Sequence, residues 1–383
     1  MVRIAATSEA NLDGLKVFLA GLRRALCDSD TDLSFASPQD MSSAVRIAAR
    51  TKLLPVWAKG MRDCLDEKST ADLDSLERQY RLLTFERNAV LLTNLSRLHK
   101  ALKEVEIEHV FYKGPLQQHQ VYGDFFQRLA ADIDILVSRP DFVRAAQLLQ
   151  GQGFSMRHNL SLWWRVFVGQ EHLVTEDAGE WSVDLHHRLQ EPGVQQPRSS
   201  AEFLHAPDFV ELKSVQLPVI RSELVPLICT INFVKGLTRR TDGLAAAEHK
   251  VPAAHLLDLF HILEGGRDER VRAFVATADA FGLTGSALIA LRAFSAVFQR
   301  PIRGFQTQIS DCMRRIDDEV LAAMVFAPGI VRDWPRPAAL LWESWEKRPL
   351  RYAADYGWYL GSEIFRKSAK AGRMVADRSA TSL

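Results

Sequence analysis

Two aspartates one residue apart, Asp132 and Asp134, stand in the run Ala131-Asp132-Ile133-Asp134-Ile135-Leu136-Val137. The Ile-x-Ile-Leu-Val pattern predicts a buried strand. Side chains two apart on a strand point the same way, so two carboxylates are forced onto one face of an otherwise apolar element. Buried charge is costly unless something compensates it. For a carboxylate pair the usual partner is a divalent cation, and Mg²⁺ prefers hard oxygen ligands. An Asp-x-Asp alone also fits the wet face of an edge strand. The flanks make the pattern more specific. Upstream, Val110-Phe111-Tyr112-Lys113-Gly114-Pro115 reads as a short strand ending at a glycine. Downstream, Trp181-Ser182-Val183-Asp184-Leu185-His186 is a second apolar run with one more carboxylate, Asp184.

The elements that must position these groups follow from periodicity. Residues 1–105 read as helical, with Leu91, Leu95, Leu98, Leu102 and Val105 on one core-facing stripe; a coiled coil would need more heptads. Ile107–Tyr112 reads as a strand, Gly114–Tyr122 as a helix and Ala131–Val137 as a strand. Ser138-Arg139-Pro140-Asp141 resembles a capped helix start, with Gly151 and Gly153 ending that helix. His172–Thr175 and Trp181–His186 read as strands joined by a turn near Ala178-Gly179. Residues 106–192 therefore form a small α/β unit with a mixed sheet. After Pro192, Gln195–Ser200 reads as a loop or linker. Helices resume from about Ser222, one marked by Leu256, Leu257, Leu259, Phe260 and Leu263 and another over Ala287–Phe298. Trp334, Trp342, Trp345 and Trp358 are packing residues of the last helices. The expected division is 1–105 helical, 106–192 mixed sheet, 193–365 helical and 366–383 a flexible basic tail: an α+β protein with helical regions flanking one small sheet.

Composition bounds the function. The chain has 383 residues, 48 basic against 47 acidic, so its net charge of +1 gives no field to attract nucleic acid or a membrane. Cys27, Cys64, Cys229 and Cys312 are widely spaced, which argues against a disulfide framework or a zinc site and suits a reducing compartment. The first residues lack the apolar core and cleavage site of a signal peptide. The longest apolar run, Val320–Val331, is interrupted by Pro328 and is too short to span a bilayer. A cytoplasmic location is expected. Phosphate-binding P-loop, dinucleotide-binding, zinc-protease and serine-hydrolase motifs are all missing; Gly151-Gln152-Gly153 lacks a third glycine, since position 156 is Met156.

Lys113-Gly114, Arg128, Asp132-Ile133-Asp134-Ile135-Leu136-Val137 and Val183-Asp184-Leu185-His186 together resemble the bacterial uncharacterised nucleotidyltransferase family of the polymerase-β-like superfamily. The resemblance extends, more loosely, to Arg87-Asn88, Ile231–Lys235 and Leu256–Leu259. It implies transfer of a nucleoside monophosphate from an NTP, ATP first among them, to a hydroxyl or similar group, with release of pyrophosphate. It further implies two Mg²⁺ ions held by Asp132, Asp134 and Asp184, about 3.5–4 Å apart. Asp132 and Asp134 would serve both ions, and Asp184 would hold the acceptor-side ion or take the acceptor's proton. The strand-to-helix turn would bring backbone N–H groups at Gly114 close to phosphate, with Lys113 and Arg128 neutralising the triphosphate. Surface charge or a structural ion pair are the plain alternatives for both cations.

Two departures stand out. Relatives place Ser or Gly after the motif glycine, whereas Pro115 has no N–H to donate. Asn232 replaces a frequent histidine and is given no role. His186 shares the Asp184 face and could orient a carboxylate or the acceptor, or be structural. His187 points the other way. Glu171 and His172 could approach from the neighbouring strand. Trp163-Trp164-Arg165 could stack a base or form a packed aromatic loop. The acceptor, a small molecule, peptide or protein, is left open, and a protein partner is possible. Near-neutral charge disfavours a polymerase or tRNA-tailing enzyme. The alternatives are a catalytically weak nucleotide-binding regulator, favoured by Pro115, and an antitoxin-like protein adenylyltransferase. A purely structural helical protein would leave three carboxylates on apolar strands unexplained.

Overall fold

The structure, a computed structural model, describes residues 12–27, 36–157, 162–175, 181–190, 195–238, 253–305, 311–331, 337–345, 348–354, 357 and 360–361. The 178–179 turn, Trp334, Trp358 and the 366–383 tail lie outside the described residues, as do the Trp163 and Trp164 side chains.

Four helices open the chain: α1 (Leu12–Cys27), α2 (Pro38–Arg50), α3 (Leu54–Met61) and the long α4 (Glu67–Glu104). The mixed region follows as β1 (His109–Tyr112), α5 (Gly114–Tyr122), β2 (Asp132–Val137), α6 (Phe142–Gly151), β3 (Phe154–Met156), α7 (Leu162–Val168), β4 (Gln170–Thr175), β5 (Ser182–His186), β6 (Asp208–Leu212) and β7 (Val215–Val219). Helices close the molecule: α8 (Val225–Thr238), α9 (Ala253–Ile262), α10 (Asp268–Ala280), α11 (Thr284–Phe298), α12 (Asp311–Arg314), α13 (Asp318–Phe326) and α14 (Pro337–Ser344). No helix among the described residues is long and apolar enough to cross a membrane.

The described strands form one mixed sheet in the order β3-β4-β5-β2-β1-β7-β6. β1 runs antiparallel to β2, and β2 runs parallel to β5, with α6, β3, α7 and β4 between them in the chain. The pleat sorts side chains onto two cores. Phe111, Ile133, Ile135, Val183 and Leu185 face one side, where they meet Leu91, Leu95, Leu98 and Leu102 of α4 and Phe142, Ala145 and Leu149 of α6. Burying each leucine of that predicted stripe contributes about 1.5–3 kcal/mol. Val110, Tyr112 and Leu136 face the other side, in one core with α1–α3 and the C-terminal helices. The carboxylates lie on this second face.

The α+β architecture matches the sequence expectation, with four differences. β3 (Phe154–Met156) is a strand that the sequence reading does not include. Two of the seven strands, β6 and β7, come from beyond residue 192, where the sequence reading placed a loop and then helices; β7 pairs with β1. Residues 162–168 form a short helix, not an aromatic loop. Ser138 does accept from the Asp141 N–H (3.2 Å) and donate to the Asp141 carboxylate (2.7 Å), as a cap should, but regular helix begins only at Phe142.

Candidate active site

Register builds the site. Tyr112 on β1 lies level with Asp134 on β2, Asp134 with Asp184 on β5, and Asp184 with His172 on β4. Residues level across adjacent strands share a face, so this row puts two carboxylates between a phenol and an imidazole. Asp132 lies two residues back, level with Ser182; His186 lies two residues on, level with Gln170. Asp132, Asp134, Asp184, His172 and His186 thus occupy one face, while Glu171 and His187 point to the other.

Asp134 is buried, and its Oδ1 accepts from Lys113 Nζ at 2.7 Å and faces His186 Nε2 at 3.2 Å. Asp184 Oδ2 accepts from Gln170 Nε2 at 3.2 Å, and Asp184 Oδ1 is hydrogen-bonded to His172 Nδ1. Arg157 Nη1 lies 3.2 Å from His172 Nε2. An arginine can only donate, so this contact casts His172 Nε2 as acceptor and leaves Nδ1 to donate to Asp184. Burial pushes the Asp134 carboxyl up, but the Lys113 ammonium and His186 more than offset it and hold Asp134 well below the usual carboxylate range. Asp184 is likewise lowered, its burial outweighed first by the His172 hydrogen bond. Lys113 is raised: the attraction of Asp134 exceeds the cost of burial. Both carboxyls are therefore anionic at neutral pH and Lys113 is cationic.

The ligand atoms of Asp134, Asp184 and His186 all lie within 4.8 Å of one another. Asp132, half-buried like Asp184, is not one of this trio. Two buried polar atoms beside it, His186 Nδ1 and the Tyr112 hydroxyl, have no hydrogen-bond partner. Hard anionic oxygens, an imidazole and unsatisfied polar atoms are a donor set that fits a divalent cation.

Lys113 ends β1 with φ +62° and ψ −163°, and Gly114 follows with φ +54°. Gly114 pays no steric penalty there. Lys113 does, because its conformation belongs to a region used almost only by glycine, at a cost of about 1–3 kcal/mol. The turn delivers the ammonium to Asp134 and opens α5, where Pro115 removes one N–H from the first turn.

Arg128 pairs with a different carboxylate. Its guanidinium is buried and grips both oxygens of Asp258 on α9, which also accept from Gln117 Nε2 (2.8 Å) and Tyr122 Oη (2.7 Å). Cys229, His255 and Asp258 form a second close group of metal-type ligands, but these four donors already occupy the Asp258 carboxylate.

Four contributors carry roles that the sequence alone does not assign. Asn88 on α4 donates to the Phe125 and Arg128 carbonyls and accepts from the Ala130 N–H, fixing the segment that leads into β2. Gln118 clamps the Arg128 backbone through both amide atoms. Asp258 anchors Arg128, and Gln170 steadies Asp184. Asp258 had a usable signal, a lone carboxylate among Leu256, Leu257, Leu259 and Phe260.

Residues 37–299, about two thirds of the chain, match the model of a family described as uncharacterised nucleotidyltransferase. The segment spans the whole site. No curated protein matches the sequence.

Proposed function

Because the chain belongs to the uncharacterised nucleotidyltransferase family, we propose that the Asp134–Asp184 face transfers a nucleoside monophosphate from an NTP, ATP in the first instance, to a hydroxyl or similar group of a small-molecule, peptide or protein acceptor. The acceptor oxygen bonds to the α-phosphorus, the bond to the β-phosphate breaks, and pyrophosphate leaves. The observation that carries this reading is the register that sets Asp134 and Asp184, both ionised, side by side on neighbouring strands with Lys113 against them.

Asp134, Asp184 and Asp132 would hold divalent ions, Mg²⁺ in the family's usual chemistry. Such ions, when bound, make the attacking oxygen more acidic and offset charge on the phosphates. The remaining work falls to side chains. Lys113, no longer needed as the counter-charge of Asp134, takes a phosphate oxygen. Gly114 permits close approach of its backbone to phosphate. His172 and Gln170 hold Asp184 fixed, so that its carboxylate keeps its aim at the acceptor and can receive the acceptor's proton. Arg128, committed to Asp258, supports the site's architecture instead of the phosphates. A second reading, a nucleotide-binding protein with slow turnover, draws on Pro115, which removes an N–H from the helix turn nearest the phosphates.

Calorimetry of NTP binding with and without Mg²⁺, on the wild type and Asp134→Asn, tests the proposal. Metal-dependent binding lost in the variant supports it. Absence of binding to all four NTPs by the folded wild type would sink it, and tight binding without incorporation of label from α-labelled NTP into any acceptor favours the second reading.

A further inference from the structure

We infer that His186 is itself a ligand of the cation held between Asp134 and Asp184, giving a mixed carboxylate–imidazole site that takes Mn²⁺ in preference to Mg²⁺. The inference rests on the metal-dependent reading above and goes beyond it in naming a nitrogen donor and the ion it selects.

Geometry comes first. His186 Nε2 is 3.2 Å from Asp134 Oδ1. Adjacent ligands of an octahedral ion at about 2.1 Å are separated by roughly 3 Å. The Asp184 carboxylate completes a group within 4.8 Å, the span that three ligands of one ion can share.

Hydrogen-bond accounting comes second. As a purely structural residue, His186 would donate Nε2–H to Asp134. Its Nδ1 would then be an acceptor with no donor in a buried position, which is unfavourable. Coordination through Nε2 moves the proton to Nδ1 and makes that atom a donor. The ring beside it belongs to Tyr112, 5.4 Å away between centroids in an edge-on arrangement, and the Tyr112 hydroxyl is likewise a buried polar atom without a partner. The two unexplained atoms of the site thus lie on neighbouring rings.

Charge comes third. Asp134 Oδ1 faces Lys113 Nζ and His186 Nε2 together, which marks this oxygen as the point where positive charge is needed. Imidazole suits the transition ions and carboxylate suits Mg²⁺, Ca²⁺ and Mn²⁺. Mn²⁺ accepts both donor classes, whereas Mg²⁺ favours oxygen.

The test is Mn²⁺ binding to the full-length protein without nucleotide, followed by electron paramagnetic resonance with electron-spin-echo modulation to detect directly bound ¹⁴N. The expected result is a coordinated nitrogen in the wild type, Mn²⁺ bound about tenfold or more tightly than Mg²⁺ in competition, and loss of the nitrogen signal in His186→Gln with Mn²⁺ affinity down about 10–100-fold. Mn²⁺ bound with no nitrogen coupling, or with coupling that persists in His186→Gln, overturns the inference and leaves the nucleotidyl-transfer reading standing. Failure of the folded wild type to bind Mn²⁺ without nucleotide also overturns the inference, while the nucleotidyl-transfer reading stands or falls with the NTP calorimetry. The wild-type spectrum decides the matter even if the variant folds poorly.

Discussion

Arg128 and Asp258 form a two-pronged ion pair in the interior, joining the segment before β2 to helix α9. Burial raises the cost of the Asp258 charge, and the Arg128 guanidinium more than offsets it, so the carboxyl is held below its ordinary range. Removing one partner strands the other as a buried charge. Asp258→Leu and Arg128→Met should each destabilise the fold by about 3–5 kcal/mol, while Arg128→Met/Asp258→Leu together should cost less than the sum. Chemical denaturation of the four proteins gives the cycle. If Arg128→Met instead weakened NTP binding with no loss of stability, a phosphate-binding role would be restored to Arg128.

Asp134→Asn and Asp184→Asn should each lower nucleotidyl transfer by about 10²–10⁴-fold, because charge stabilisation at the phosphates is worth several kcal/mol and each 1.36 kcal/mol is tenfold. Asp132→Asn should cost less, since Asp132 stands outside the close trio. Release of pyrophosphate, coupled to a colorimetric assay once an acceptor is in hand, ranks the three. An Asp132 effect equal to that of Asp134 would show that the carboxylate outside the trio is just as central.

Lys113 combines a strained backbone with a buried ion pair, and the two can be separated. Lys113→Met and Lys113→Gly both remove the ammonium from Asp134, but only glycine accepts φ +62° with ψ −163° freely. Lys113→Gly should therefore be about 1–2 kcal/mol more stable than Lys113→Met, while both lose transfer activity. Melting curves for the pair, read at one pH, check the difference; equal stability would mean that the turn relaxes without strain.

The site's central row was legible because strand geometry is short-ranged. Asp132 and Asp134 share a face through the period of two, and Asp184 with His186 do so for the same reason. Which strand lies beside which is not carried by that period, so the level pairing of Asp134 with Asp184 and of His172 with Asp184 emerged only in three dimensions. The Arg128–Asp258 pair spans 258 − 128 = 130 positions and no local pattern announces it. The β6–β7 hairpin was missed for a different reason. Its turn, Lys213-Ser214, has φ of +47° and +66° at residues that carry none of the usual Gly or Asn signals, and Pro218 inside β7 reads as a strand breaker. The stripe of α4 was plain to see, but the task of Asn88 within it was not, because its partners lie in an irregular segment.

Glu171, on the face of β4 opposite His172, gives a pH dependence of unusual sign. Burial raises its carboxyl, and the Arg165 side chain 3.2 Å away offsets only part of the rise, leaving it at about 7. A carboxyl raised on folding binds more protons folded than unfolded, so its contribution to stability falls as pH rises. Below the unfolded value, near 4.3, both states are protonated and nothing changes. Between there and about 7 the folded state alone keeps its proton, and stability declines across that window. Glu171→Gln cannot titrate. The variant's stability relative to wild type should therefore improve from pH 5 to pH 8 by about 1–3 kcal/mol. Urea titrations of both proteins at the two pH values measure this directly. A gap that stays constant, or moves the other way, would mean that Arg165 holds Glu171 ionised throughout and that the buried pair is a conventional salt bridge.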